Sequence, residues 1–316
     1  MDSSTETINQ RDLLDLLDFD DLHTDVLDTE KIKEVEEELS SVNRAQTMKI
    51  VEAQRFRDWF SSPRAAKLLI HGNFHGIMQE ASALSLFCTT LTKAFRQQNP
   101  RVVCLVWFCG FHLGNEAEPL SGESDFLAYP YQGRPYDPSL GEDEDEYVPP
   151  YARQGVIGEM IRSFIAQLDE QCDFGSANLC PPGVDPHAIQ QNTDLTQLMM
   201  LFRSMVRKLP LNITVFIIID GIAHYEGPNY EDSMRDALDC IIGPVAYNVA
   251  AGLRVKLLVT SPRRQSMYAR YFELGNTLFM DYLPRSFERY SEGKVIRSLA
   301  RMGNRNFMPS TAQSWN

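Results

Sequence analysis

The sequence has no apolar run that approaches the roughly eighteen residues needed to cross a membrane. Its start, MDSSTETINQRDLLDLL, lacks the basic lead and apolar core of a secretory signal. These absences point to a soluble, cytoplasmic chain. Positive charge is scarce too, with 30 Lys and Arg against 43 Asp and Glu and a net charge of -13. Excess Lys and Arg drive non-specific attachment to nucleic acid and to anionic lipid, so neither nucleic acid nor a membrane is expected as a partner of this acidic protein. The six cysteines, Cys88, Cys104, Cys109, Cys172, Cys180 and Cys240, sit mostly in apolar segments and lack the paired CxxC spacing of a zinc site. They read as buried thiols. Cys104, Cys109 and His112 fail as a ligand set, because the odd offset puts the two cysteines on opposite faces of one strand. No G-x-S-x-G elbow, HExxH pair, dinucleotide fingerprint or cysteine-protease signature is present either, so no familiar hydrolytic or redox chemistry is indicated.

What is present is enough apolar sequence, 43% of the chain, to bury a sizeable core. Residues 213–226, ITVFIIIDGIAHYE, organise the rest. An uncharged, β-branched run leads directly into Asp220-Gly221, which reads as a buried parallel strand ending at an acid. In a doubly wound sheet the carboxyl ends of the strands line the ligand crevice, so an aspartate there stands where a magnesium-bound phosphate sits. A core strand closed by a turn-forming Asp-Gly explains the same residues.

Further strands are expected at 66–70, 101–108 and 253–260, with a short fifth at 276–282. Helices are expected from 82 onward for about five turns, and at 155–171, 194–209, 233–251 and 283–299, the second of these four capped by Thr193 or Asp194. Residues 29–60 carry apolar positions three and four apart, so they read as a helical extension of one or two helices, broken at Ser61-Ser62-Pro63. Residues 1–28 form an acidic flexible tail in this reading. Within it DLLDLLDFDDLHTDVLD reads as a flexible tail or a helix packed back on its own domain, with a peptide for a partner's groove as the functional alternative. The α/β domain then spans 61–290, interrupted by an acidic, partly disordered insertion at 114–150, and 291–316 hold the end of the last helix and a tail.

The segment AAKLLIHGNFHGIMQEASALSLFCTTLTKAF has the strand, glycine loop and helix of a phosphate-binding loop. That loop needs G-x-x-x-x-G-K-[ST], in which amides wrap the phosphates, the lysine neutralises them and the hydroxyl holds magnesium. From Gly72 the required positions hold Ile77, Met78 and Gln79, and from Gly76 they hold Ala81, Ser82 and Ala83. In neither register is there a lysine.

The phrases RFRDWFSS, KLLIHGN, SALSLFCTTL, VVCLVWFCGFH, IRSFIAQL, LPLNITVFIIIDGIAHYE and LRVKLLVTSPRR occur in an order that resembles the nucleotide-binding domain of the STAND and NACHT-type P-loop ATPases of filamentous fungi. The resemblance is closer to a set of fungal proteins in which that domain is degenerate, and it covers about residues 55 to 285. It implies a parallel-sheet, P-loop NTPase-like three-layer α/β sandwich with a helical N-terminal extension. By position it makes Gly72, Asn73, Gly76 and Ser82 the remnant of the phosphate loop, Asp220 the Walker B acid, and Thr260 with Ser261 the sensor region. Pro262 stands where the family's arginine stands, with Arg263 one step later. The next carboxylate after Asp220 is Glu226, too far along to polarise an attacking water.

Phosphoryl transfer is catalysed almost wholly by positioning and charge stabilisation. Losing the lysine, the magnesium hydroxyl and the catalytic acid together removes that catalysis. The expected function is therefore a non-hydrolysing pseudo-NTPase that serves as a scaffold or regulatory protein-interaction module, with other proteins as partners, no catalytic residue, no resident metal and no cofactor. The alternative is an ATP- or GTP-binding molecular switch with altered phosphate-loop chemistry. In that reading Asp220, Arg263 or Arg264, and His71 or His75 stand near the phosphates and Asp220 holds magnesium.

Overall fold

Five mainly apolar runs, of which β2 and β3 are richest in β-branched and aromatic residues, form the strands β1 Ala66–His71, β2 Val102–Phe108, β3 Thr214–Asp220, β4 Arg254–Ser261 and β5 Thr277–Phe279. The structure is a computed structural model, and it describes residues 10, 13, 17, 24–74, 79–98, 101–113, 150–190, 194–246, 254–286 and 288–306. All neighbouring strands pair in parallel, in the order β2-β3-β4-β1-β5. The register sets His71 beside Ser261 and Phe108 beside Asp220, so β1 to β4 end at one level.

Alternation along the strands feeds two cores. Cys104, Val106, Phe108, Phe216, Ile218 and Leu258 point to one face, while Val103, Leu105, Trp107, Ile217, Ile219 and Val259 point to the other. The first face is covered by α1 Thr24–Glu34, α2 Ser41–Thr47, α3 Gln54–Ser61, α4 Ala83–Gln98 and α9 Glu292–Asn306. The second is covered by α5 Pro150–Gln171, α7 Leu195–Lys208 and α8 Glu231–Ala246, with the short α6 Pro186–Gln190 beside α7. Helices on both faces explain why the strands read as continuous apolar runs. Each large side chain so buried contributes about 1.5–3 kcal/mol. Phe216 is representative, packed 4.1 Å from Phe95, 5.6 Å from Trp59 and 5.9 Å from Phe60 between ring centroids.

Several boundaries differ from the sequence reading. The N-terminal division at residue 28 falls inside α1, and Asp25, Asp28, Leu13 and Leu17 are all buried. Asp25 pairs with Arg96 at 2.5 Å, Asp28 meets His112 at 2.6 Å, and Arg162 donates to the Leu17 carbonyl. These residues are held by the domain, the helix-packed-back reading of that segment. Residues 29–60 hold parts of three α-helices with 3-10 turns at Glu36–Glu38 and Ile50–Glu52 between them, since α1 ends at Glu34 and Ser40 caps α2. They are a layer of the fold as much as an extension, because Phe56, Trp59 and Phe60 of α3 lie in the core. The last helix starts at Glu292 rather than at 283 and runs to Asn306 rather than ending at 299, and the residues after it lie outside the described ones. Val295 and Leu299 set its register by burial on the first face, whereas Tyr290 before it bonds Thr90 through its hydroxyl at 2.7 Å. Asp194 caps α7 by accepting from the Thr196 amide at 2.8 Å. The insertion, from 114 to 149, lies outside the described residues.

Lys256 was not singled out in the sequence, although it is a charged residue in the middle of β4. It is buried, and Nζ donates to the Trp59 and Ser62 carbonyls at 2.9 and 2.6 Å, which closes the end of α3. Burial pulls its pKa down to about 7.

The connections fix where a ligand crevice belongs. After β1 the chain crosses the first face through α4 to β2 at the far edge, whereas after β4 it crosses the second face, through Tyr268 and Phe272, to β5. β1 and β4 are neighbours whose connections leave in opposite directions, and that is the topological switch point at which open α/β sheets bind ligands. Among the described residues no helix is long and apolar enough to cross a membrane.

Candidate functional site

At the carboxyl end of β3, Asp220 is followed by Gly221, whose φ of +72° is the left-handed conformation that glycine adopts without strain. The turn carries the chain into a 3-10 helix, Ile222–Tyr225, and leaves the Asp220 carboxylate pointing to the α4 face with only 2% exposure. Thr260 Oγ1 donates to Asp220 Oδ1 at 2.5 Å and itself accepts from the Gly221 amide at 3.0 Å. Cys88 Sγ donates to the same Oδ1 at 3.6 Å, and the Ser85 hydroxyl is a further partner. Burial pushes the Asp220 carboxyl above its ordinary range, and the bonds from Ser85, Thr260 and Cys88 only partly pull it back. Burial and the neighbouring Asp220 likewise push the Cys88 thiol well up, so it is a neutral donor. No cation forms an ion pair with Asp220 among the described residues.

Ser82 is the N-cap of α4, accepting from the Leu84 and Ser85 amides at 3.2 and 3.4 Å, while Ser85 Oγ accepts in return from the Ser82 amide at 2.9 Å. This reciprocal arrangement occupies the first-turn amides that a phosphate would need. The hydroxyl of Ser82 serves its own helix rather than a ligand.

The glycine loop is tied to β4. The Gly72 amide donates to the Ser261 carbonyl at 2.8 Å, and the Phe74 amide donates to the Pro262 carbonyl at 2.9 Å. The ladder between β1 and β4 thus continues past the strand ends, across the switch point. Phe74 packs on the first core, and a Cβ on Gly72 would lie 2.7 Å from its ring, so the glycine is what lets the ring lie flat against the backbone. Asn73, at φ +52°, turns its side chain outward to Asp281 Oδ2 at 2.6 Å. Gly76, with His75 and Met78, lies outside the described residues. Where the chain resumes, Glu80 is pressed on the end of β2, since a Cβ on Gly110 would stand 2.0 Å from the Glu80 carbonyl oxygen. His224 bonds the Gln79 backbone, and burial lowers its pKa to about 4, which leaves it neutral.

The remaining residues singled out in the sequence face elsewhere. His71 is buried, stacks on Phe279 at 5.0 Å, and donates through Nδ1 to the Arg263 carbonyl at 3.1 Å; burial lowers its pKa, so it adds no positive charge. Arg263 approaches Glu226 at 3.8 Å and Arg264 approaches Asp281 at 4.0 Å. Glu226 in turn accepts from the Met267 amide at 3.0 Å, so it supports the loop after β4. Ser261 Oγ accepts from the Arg263 amide at 3.3 Å. The structure therefore brings Asp220 together with Thr260, Gly72 with Ser261, and Ser261 with the Arg263 backbone, while Ser82 reaches Asp220 only through Ser85 and Asn73 turns away to Asp281.

Sequence reasoning missed Ser85 and Cys88. Their signal is polar side chains three apart on the buried part of α4, but Thr89, Thr90 and Thr92 are buried on the same helix, so the pattern does not single them out. Five of the cysteines are buried as expected of thiols, whereas Cys172 is half-buried.

Magnesium bound with a triphosphate requires an octahedral set of oxygen ligands and a cationic cradle. Here Asp220 Oδ1 already accepts from Thr260 and Cys88, and among the described residues no three His, Cys, Asp or Glu side chains are grouped to hold a metal. The residues present do not fit that group. Fold and site together define an α/β protein whose open parallel sheet has a switch point bridged by its own backbone. The chain matches no protein-family model, and no curated protein and no solved structure is significantly similar to it.

Proposed function

We propose that this chain is a degenerate P-loop NTPase-like domain of the fungal STAND and NACHT type, kept as a non-hydrolysing scaffold or regulatory module that binds other proteins. The observation that carries the reading is the bridge from Gly72 and Phe74 to the Ser261 and Pro262 carbonyls, which ties the start of the glycine loop to β4 across the switch point. The missing lysine supports it, as does an Asp220 held by neutral donors. A framework that keeps its buried sheet while the start of its loop is tied to β4 retains rigid surfaces for partner binding.

Calorimetric titration with ATP and magnesium tests this directly, paired with a steady-state assay of phosphate release. The expected result is no saturable heat and phosphate release at the buffer baseline. Micromolar binding that disappears in Asp220→Ala contradicts the proposal.

A further inference from the structure

We propose that the groove between the C-terminal half of α7 and the turn at Pro181 and Pro182 binds a small organic phosphate. Arg203 and Arg207 hold its phosphate, and Met200 with the two prolines faces its apolar body. The groove has a volume of about 500 Å³ and is lined by Pro181, Pro182, Met200, Arg203, Ser204, Arg207 and Lys208. That volume lies in the range of small-molecule sites. Because α7 leads into the amino end of β3, the groove is at the opposite end of the sheet from Asp220.

The lining has cations and no carboxylate, in a chain whose net charge is -13. Lys208 is accounted for, since Nζ donates to the Asn178 carbonyl and to Ser204 Oγ and so clamps the end of α7 to the linker. The two arginines have no such protein partner among the described residues. No ion pair of the described residues includes either of them. Arg203 Nε is buried without a hydrogen-bond acceptor. Nε itself is out of a groove ligand's reach, but the terminal nitrogens of Arg203 have no acceptor among the described residues either, and a phosphate in the groove supplies one. Attraction of cations to a helix C-terminus explains Arg207 and Lys208 in the last turn, but not Arg203 a turn earlier. Like charges four residues apart repel, with Cβ atoms about 5–6 Å apart, and a phosphate between two guanidinium forks removes that repulsion.

The opposite wall is preformed. Cys180 Sγ donates to the Pro181 and Val184 carbonyls at 3.6 Å, and Gln197 Oε1 accepts from the Asp185 amide at 3.1 Å. The prolines are thus fixed before any ligand arrives, which lowers the entropic cost of binding. Met200, 37% exposed, completes an apolar surface next to the charges.

The test is titration of the full chain with phenyl phosphate in the presence of a metal chelator, alongside inorganic phosphate and phenol. Saturable binding of phenyl phosphate is expected, about tenfold or more tighter than inorganic phosphate, with none for phenol. The double substitution Arg203→Gln, Arg207→Gln is expected to weaken it by about tenfold or more, as is Met200→Glu, which places a negative charge at the exposed rim while keeping both arginines. Asp220→Asn leaves it unchanged. Absence of saturable phenyl phosphate binding to the unmodified chain overturns the proposal, as does equal affinity in the Arg203/Arg207 and Met200 variants. Equal affinity for inorganic and phenyl phosphate overturns the assignment to an organic ligand.

Discussion

Asp220 is an acid among hydroxyl and thiol donors, and the direction of its pKa shift makes a stability prediction. Its folded value lies above its unfolded one, so its contribution is fully present below the unfolded pKa of about 3.9 and is lost as pH rises through the folded value. At neutral pH the ionised form therefore weakens the fold. Asp220→Asn keeps the shape and carries no charge. Its urea stability relative to the unmodified chain is expected to be higher at about pH 8, where the carboxyl of the unmodified chain is driven to ionise, than at about pH 4. An Asn variant whose relative stability instead falls over that range would show that the carboxylate is held by a positive charge. The position of the acid at a strand end was legible from the uncharged run before it. Its environment was not, because Ser85, Cys88 and Thr260 reach it from two other elements and nothing local announces that convergence.

The elements themselves are where periodicity is most informative. β1, β2, β3 and β4 lie within a residue or so of the expected runs, since two-sided burial leaves each strand uniformly apolar. Tertiary contacts decide the ends, as at α9, whose start is set by Val295 and Leu299. A device that pattern reading passes over protects the edge strand β2. Gln167 accepts from the Val106 amide at 2.8 Å and donates to its carbonyl at 2.9 Å, and Gln171, one turn on, does the same for Cys104 at 2.9 and 3.0 Å. These two side chains imitate a neighbouring strand and remove an open edge. Gln167→Leu leaves two buried backbone groups unpaired and is expected to cost roughly 2–5 kcal/mol in chemical denaturation. Gln171→Leu costs less, because the Cys104 carbonyl keeps its bonds from Arg96 at 3.0 and 3.3 Å. Equal losses in the two variants would contradict this division of labour.

At the scale of the whole molecule, the strand order is what gives the loop contacts their meaning. The glycine loop's missing lysine can be read from consecutive residues. The bridge to β4 cannot, since it joins Gly72 and Phe74 to Ser261 and Pro262 from the far end of the chain and depends on β1 and β4 being neighbours. The same holds for Glu80 resting on Gly110. The acidic N-terminal segment shows a related limit, because Asp25 and Asp28 look like solvated tail residues until Arg96 and His112 are brought beside them. Amide hydrogen exchange at Gly72 and Phe74, followed with and without ATP and magnesium, tests the central claim most directly, because exchange reports whether those two donors are bonded in the native state. The account predicts slow exchange at both amides, comparable to the interior of β1 and unchanged by nucleotide. Exchange at an open-loop rate in the free protein, or protection gained when nucleotide is added, would contradict it.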